Sequence, residues 1–296
     1  MIQAVEAGGR VPPVRPEIDQ EPVNTSGIGV VERPLGIGER LMASDAFRRA
    51  VILVVLALLW EGYARFIHNP LLFPSFLDTI SAFWTDLANG TLIQRTYTSL
   101  QVLLLGYGIG LVAAAVFTTL AVSTRIGTDI LTTLTAMFNP LPAIAMLPLA
   151  LLWFGLGVSS IAFVIVHSVL WAVSLNILTG FRSVPETLRM SGRNYGLTGI
   201  RYVTKILMPA AFPSILAGLK IGWAFAWRTL IAAELVFGVS SRAGGLGWYI
   251  FEARAELYTS KVFAGLLAVI IIGLVVESVI FRLIEIRTVQ RWGMQR

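Results

Sequence analysis

Three ionisable side chains, Arg228, Glu234 and Glu277, lie inside otherwise apolar runs. An Arg at the centre of a membrane helix costs about 2.5–3.5 kcal/mol on insertion scales, so Arg228 must face protein or water. Two roles are open to it: lining a route for an anion, or holding a fixed ion pair. Arg228 and Glu234 are six residues apart, which puts them on different faces of one helix and makes a direct pair poor. Glu277, in a later apolar run, is the alternative partner. Asn139-Pro140-Leu141-Pro142 breaks a further run. Backbone groups freed at such a break need partners, so it is either a packing kink or the wall of a cavity or gate. His167 and Asn176 share another run and are expected to hydrogen-bond between helices. Arg228, Glu234, Asn139, Pro140 and Asn176 are therefore the candidates for lining a path across a membrane.

Other chemistries find no residues to carry them. The chain has no Cys, and its only histidines are His68 and His167, so no thiolate, disulfide or His-rich metal site can be built. No G-x-x-x-x-G-K-S/T phosphate loop occurs, nor a Ser/His/Asp set placed for catalysis. Gly106-Tyr107-Gly108-Ile109-Gly110 has no strand before it and reads as a G-x-x-x-G contact between helices. No catalytic residue, metal or cofactor is expected in this chain itself.

The elements that must position these residues are membrane helices. Of 296 residues 56% are hydrophobic and only 14% charged, against about 25% charged in a soluble domain. The apolar runs are long and unbroken, unlike the alternating segments of about ten residues in a β-barrel. Six spans are expected, near 46–67, 96–122, 127–154, 159–181, 212–237 and 262–284. The membrane domain then covers 46–290, after an N-terminal tail (1–45) rich in Pro, Gly and charge and lacking an apolar core, expected to be largely disordered. Residues 291–296 form a short C-terminal end. With both termini inside, inside segments hold sixteen Lys and Arg and outside segments five; the bias places both termini in the cytoplasm. The net charge of +6 thus sets orientation and gives no reason to expect nucleic acid. Outside, Phe76–Leu87 carries Phe76, Ile80, Phe83, Trp84 and Leu87 at helical spacing and is expected to lie along the membrane interface.

The segment 182–210 is the longest inside loop. Ser183 and Glu186 have the spacing of a capping box, with Pro185 suited to a first helical turn. Arg189, Arg193 and Tyr195 follow, and Gly196 is placed to end the helix in the left-handed conformation. Thr198 can cap a second short helix, and Pro209 and Pro213 bend the chain into the fifth span. Two readings stand: a basic loop lying on anionic lipid, or a docking element for a soluble partner.

This loop resembles the cytoplasmic loop of permease subunits in bacterial binding-protein-dependent ABC importers. That pattern is Glu-Ala-Ala, three residues, Gly, then about nine residues to Ile-x-Leu-Pro. Counted back from Pro209, the Gly falls on Gly196 and the triplet on Met190-Ser191-Gly192. Met190 stands where the family has Glu, with Glu186 one turn earlier. The likeness covers most of 50–290. Pro74-Ser75, Asn139-Pro140-Leu141-Pro142, Leu152-Trp153-Phe154-Gly155, Gly218-Leu219-Lys220, Ala226-Trp227-Arg228 and Ala232-Ala233-Glu234 are similar to the nitrate, sulfonate, taurine and bicarbonate branch.

The resemblance implies an all-α, six-span type I importer permease of the bacterial inner membrane, working as a homodimer embedded in membrane lipid. Two copies of an ATP-binding subunit would hold ATP and Mg below it. A periplasmic or lipid-anchored solute-binding protein would dock above, with Phe73–Leu87 and Ser240–Ser260 as the candidate surface. Glu186, Arg189, Met190, Ser191, Gly192, Arg193, Tyr195, Gly196 and Pro209 would form the ATPase-coupling loop. The implied solute is a small anion such as a sulfonate, taurine, nitrate or bicarbonate, with uncharged pyrimidine precursors and aromatic acids as the open alternatives. The alternative is an ion-coupled secondary transporter or channel, using Arg228, Glu234 or Glu277 as coupling charges and needing no ATPase. An intramembrane enzyme lacks the residues it would need.

Overall fold

The computed structural model describes residues 38–39, 43–237 and 244–291. Most of the N-terminal tail, residues 240–243 of the outer docking segment and the last five residues fall outside them. Residues up to Val55 and from Leu56 onward form separate compact units. In the first, Asp45 and Arg48 pair one turn apart at the start of helix α1 (Asp45–Ile67).

The second unit holds the rest of α1 and every later element. These are α2 (Phe76–Ala88), α3 (Thr91–Val122), α4 (Arg125–Phe138), α5 (Leu147–Phe154), α6 (Val158–Arg182), α7 (Glu186–Asn194), α8 (Gly199–Tyr202), α9 (Phe212–Phe237), α10 (Leu246–Ala255) and α11 (Thr259–Val275). π-helical turns carry α8 on toward Met208–Ala210 and α11 on to Gln290. No strand occurs among the described residues. Five helices are long and apolar enough to cross a membrane, and a sixth crossing is made if α4 and α5 are counted together. The expected six-span, all-α architecture is therefore present. The third span, however, is no single rod. At Asn139-Pro140-Leu141-Pro142 its two arms meet at 89°. Pro140 and Pro142 carry no N–H, and the chain turns through bonds from Asn139 N to Thr135 O (2.9 Å) and Ala145 N to Pro142 O (2.9 Å) before re-entering helix.

Helix α6 is the centre. Its sequence is apolar on all sides, and 56% of its most apolar stretch is buried, against 22% for the corresponding stretches of α3 and α11. A helix apolar all round belongs inside. α3 and α9 flank it through small residues that let the backbones close in. A methyl added at Gly106 or Gly110 of α3 would stand 2.8 Å from Ile165 or Val169 of α6. On the other flank, one at Gly222 of α9 would stand 2.7 Å from Val173. The main core, built on Leu103, Ile165, Val169, Val173 and Leu230, fills this three-helix layer. By contrast Leu56, Leu59 and Phe66 of α1 are exposed, as a lipid-facing helix requires.

The outer ends are tied by polar and aromatic contacts. Trp60 of α1 packs on Phe73, Phe76 and Phe263 and donates to Pro74 O at 3.0 Å. α2 forms where the period predicts; Ser75 caps it by accepting from Asp78 N at 3.0 Å, and Trp84 projects outward. Its buried Asp86 accepts from Tyr249 Oη at 2.6 Å and pairs with Lys261 Nζ at 3.3 Å, joining α2 to α10 and α11. Burial, and then this bond to Asp86, hold the Tyr249 phenol above its usual pKa, so it remains the donor.

Gly110→Leu should cost about 1–3 kcal/mol by overpacking the α3–α6 contact. Gly108→Leu, on the same helix with open space around it, should be near neutral. Thermal unfolding of the two variants in detergent compares them directly.

Candidate functional site

Three regions carry the polar chemistry: the hairpin between α6 and α9, a cavity against Arg228, and a buried carboxylate at the opposite end of α9. The hairpin starts differently from expectation. Ser183 Oγ bonds back to Gly180 O at 2.8 Å, Pro185 occupies the N-cap, and no side chain caps α7. The capping box does not form, because the hydroxyl already satisfies a carbonyl freed at the end of α6. Glu186, itself exposed, lies 3.8 Å from the half-buried Arg189 and 3.9 Å from the exposed Arg193, long pairs of modest value.

The other end follows the sequence. Gly196 has φ +70°, Leu197 N bonds Gly192 O at 3.0 Å and Gly196 N bonds Arg193 O at 2.9 Å. That double bond around a left-handed Gly is a Schellman cap. Gly192 is buried where the two arms of the hairpin cross; an added methyl would stand 2.9 Å from Ile206 and 3.1 Å from Tyr202. Arg189 is turned inward. Its guanidinium donates to Val184 O at 3.1 Å and also to Phe181 O, holding α7 against the end of α6 and the turn that follows it. Val203 and Leu207 of the second arm are buried in the main core with Phe181 and Val184. The outer face is left with Leu188, Met190, Ser191, Arg193, Tyr195 and Ile200, all exposed, and Pro209 is exposed where the second arm turns toward α9.

Arg228 lies at the middle of α9. Its Nε donates to Ala224 O of its own helix at 3.0 Å, and the guanidinium stands 5.1 Å from the centre of the Phe225 ring. The ion pair allowed for from sequence is not formed among the described residues. Glu277 and Lys220 share a cavity of 240 Å³ with Arg228, and Lys220 itself pairs with Glu285. On its other side Arg228 lines a cavity of 310 Å³ together with Asn139, Pro140, His167 and Trp171. The break in the third span is thus a cavity wall. Asn176 is elsewhere: its Nδ2 donates to Ala172 O within α6 at 2.8 Å, and its Cβ packs against Gly218 of α9. Among the described residues, neither it nor His167 makes the interhelical bond expected of it.

Glu234 is also outside that cavity. Only 5% exposed, it accepts Ser99 Oγ from α3 at 2.8 Å and Gly247 N from α10 at 2.8 Å, and Leu246 N donates to Ser99 Oγ at 2.8 Å. Nearby Arg95 donates to Gly244 O at 3.0 Å and pairs with Glu252 at 2.9 Å. A methyl on Gly245 would fall 2.1 Å from the Glu234 carboxylate, so this position admits only Gly. Glu234 fastens three helices and does not line the cavity. Sequence reasoning missed Ser99 and Arg95; a Ser at 135 residues' separation gives no local signal. It also passed over Phe138 and Trp171, whose rings stack at 5.1 Å.

Glu234→Ala and Ser99→Ala should each cost about 1–3 kcal/mol by leaving buried donors or acceptors without partners. The double variant should cost less than the sum, since both remove one shared bond. A double-mutant cycle on unfolding measures this.

Residues 106–288 match the family described as binding-protein-dependent transport system inner membrane component. The chain is also similar to a Methanocaldococcus jannaschii protein assigned to the ABC transporter permeases, with 30% identity covering 82% of this chain and 91% of the other. An Escherichia coli protein assigned to aliphatic sulfonates transport is 31% identical, over 68% of this chain and 74% of its own length. The nitrate import permease protein of a Synechocystis species is 29% identical, over 78% and 84%. With the match covering the three-helix core, the hairpin and the Arg228 helix together, the chain belongs to the binding-protein-dependent transport system inner membrane components: it is a permease subunit of an ABC importer, a transport component and not an enzyme.

Proposed function

We propose that the hairpin of α7 and α8 is the surface on which this permease meets its ATP-binding subunit. One observation carries the reading. The hairpin is rigid at its root, through Arg189 on the α6 carbonyls, Gly192 at the crossing and Leu207 in the core. At its tip it offers apolar side chains to water, with Tyr195 83% and Ile200 70% exposed. A held tip that sets Leu188, Tyr195 and Ile200 beside Arg193, Arg201 and Lys205 suits a shaped groove on a soluble partner, where apolar and charged contacts are matched together. Met190, at the position of the family's Glu, contributes to this face by apolar contact instead of charge.

The remaining assignments follow from chemistry and the bias of charge. The family suggests a bacterial inner membrane, and the Lys and Arg distribution favours hairpin and termini in the cytoplasm. Ile221, Ala224, Phe225 and Arg228 form one exposed stripe of α9. A cation in the middle of that stripe is unfavourable against lipid, so a second copy of the chain covers it and encloses a water-accessible path. Two permeases then engage two ATP-binding subunits, which hold ATP and Mg. On the outer side, α2 with exposed Trp84 and the region of α10 receive a solute-binding protein. The solute is a small anion, the class to which the sulfonate and nitrate named for the relatives belong.

The absence of Cys allows a clean test, since any Cys introduced is unique. Tyr195→Cys should react with a membrane-impermeant maleimide in inverted vesicles and not in intact cells. Co-expression with the ATP-binding subunit should protect it, and Tyr195→Asp with Ile200→Asp should lower ATPase co-purification about tenfold or more. Labelling only from outside would overturn the reading.

A further inference from the structure

We propose that Glu277 is a positioning residue for Arg228. The two close into an ion pair across the cavity between α9 and the last span in one stage of transport. In another stage they part, which releases Arg228 to the cavity at the broken third span. This rests on the reading that Arg228 lines the path, and it names what controls that residue whichever solute moves.

Arg228 stands between two cavities. One, of 310 Å³, includes Asn139 and Pro140; the other, of 240 Å³, includes Glu277, Lys220, Trp223 and Gly273. In this structure the guanidinium is committed to neither acid nor solute: its Nε donates to Ala224 O of its own helix, and it lies beside the Phe225 ring. Arg228 and Glu277 are both exposed, and neither forms an ion pair among the described residues. Lys220, the other cation of the smaller cavity, is already taken by Glu285 at 2.5 Å. Arg228 is the cation left for Glu277 on that cavity.

Opposite charges on one small cavity inside a membrane protein form a poised pair. Each alone is unfavourable there. Their attraction grows as water leaves the space between them, and the loss of their own hydration opposes it with a similar size. A modest closing or wetting of the cavity therefore decides whether the pair exists.

The backbone at Glu277 can supply that change. Glu277 is the second residue of the π-helical turn Val276–Phe281. Such turns are rare and recur at functional sites. One residue of winding is about 100° about the helix axis, enough to swing the carboxylate toward α9 or away from it. One turn earlier, a methyl added to Gly273 would stand 3.7 Å from Nε1 of Trp227, the neighbour of Arg228. The two helices already approach there, so the pair closes through winding and side-chain rotation without moving a whole span.

The test uses the assembled importer in nanodiscs. Ala224→Cys with Gly273→Cys places two thiols on the cavity and leaves both charges in place. A short bis-methanethiosulfonate is applied without nucleotide and after trapping with ATP and vanadate. Linked peptides are identified by mass spectrometry in mixtures of isotope-labelled and unlabelled chains, which separates links within one chain from links between copies. Linkage within one chain should differ by about fivefold or more between the two conditions, and adding Glu277→Gln should reduce the difference below about twofold. Equal linkage in both conditions, a difference that survives Glu277→Gln, or links only between copies would each overturn the proposal. If the paired Cys variant does not assemble, ATP turnover carries the test. Glu277→Arg should lower it about tenfold, and Arg228→Glu added to it should recover most of the loss; no recovery would count against the pair. Arg228→Cys alone should react with a small water-soluble methanethiosulfonate, and its failure to react would sink the path reading while leaving the linkage result standing.

Discussion

Close packing along α6 is the constraint on which the other features depend. Lipid supplies no hydrophobic drive between helices, so helices associate through dispersion contacts that need short backbone separations. Gly106 and Gly110 provide them on one flank of α6 and Gly222 on the other. With α6 fixed between α3 and α9, its inward residues acquire defined neighbours. His167 and Trp171 are held against Phe138 on one side of a cavity whose other side is Arg228. The end of α6 and the turn after it supply the carbonyls that Arg189 grips. A larger residue at either close contact would separate these surfaces before it touched any functional group.

Within that frame the charges divide into two kinds. Asp86 and Glu234 are buried and saturated with bonds from other helices. Such groups are costly to strip and fix the arrangement of the elements they join. Arg228 is the reverse case, a cation deep in an apolar helix with its own backbone and a ring face as neighbours. A structural ion pair would have silenced this charge. With no ion pair among the described residues, Arg228 instead lines the cavity at the break in the third span.

How much of this was legible in the sequence depended on range. The spans were, because each apolar run is a local property: α9 begins and ends at the expected residues, and α6 within one of them. The Gly196 cap was legible for the same reason, as was the break at Asn139-Pro140, though not its 89° angle. The Ser183 capping box failed through local competition, since the hydroxyl could bond either forward to α7 or back to Gly180. The candidate path separated by contact: Arg228, Asn139 and Pro140 share a cavity, Glu234 binds Ser99 from another helix, and Asn176 packs on Gly218. Those outcomes are set by which faces meet, information that no window of one chain segment contains.

The hairpin and the cavity are joined by covalent geometry. One arm of the hairpin leaves α6 and the other enters α9, the two helices that carry opposite walls of the cavity. From Trp171 to Phe181 is ten residues of unbroken helix, about 15 Å at 1.5 Å per residue. From Phe212 at the start of α9 to Arg228 is sixteen residues of helix, about 24 Å. With Arg189, Gly192 and Leu207 fixing each arm to its root, a force on the exposed tip is delivered to the helices and not absorbed in the loop. A change in the angle between the arms therefore alters the separation of Arg228 from His167 and Trp171. In the docking reading proposed for the hairpin, the same contacts that stiffen it would carry movement of its tip to the two helices that wall the cavity.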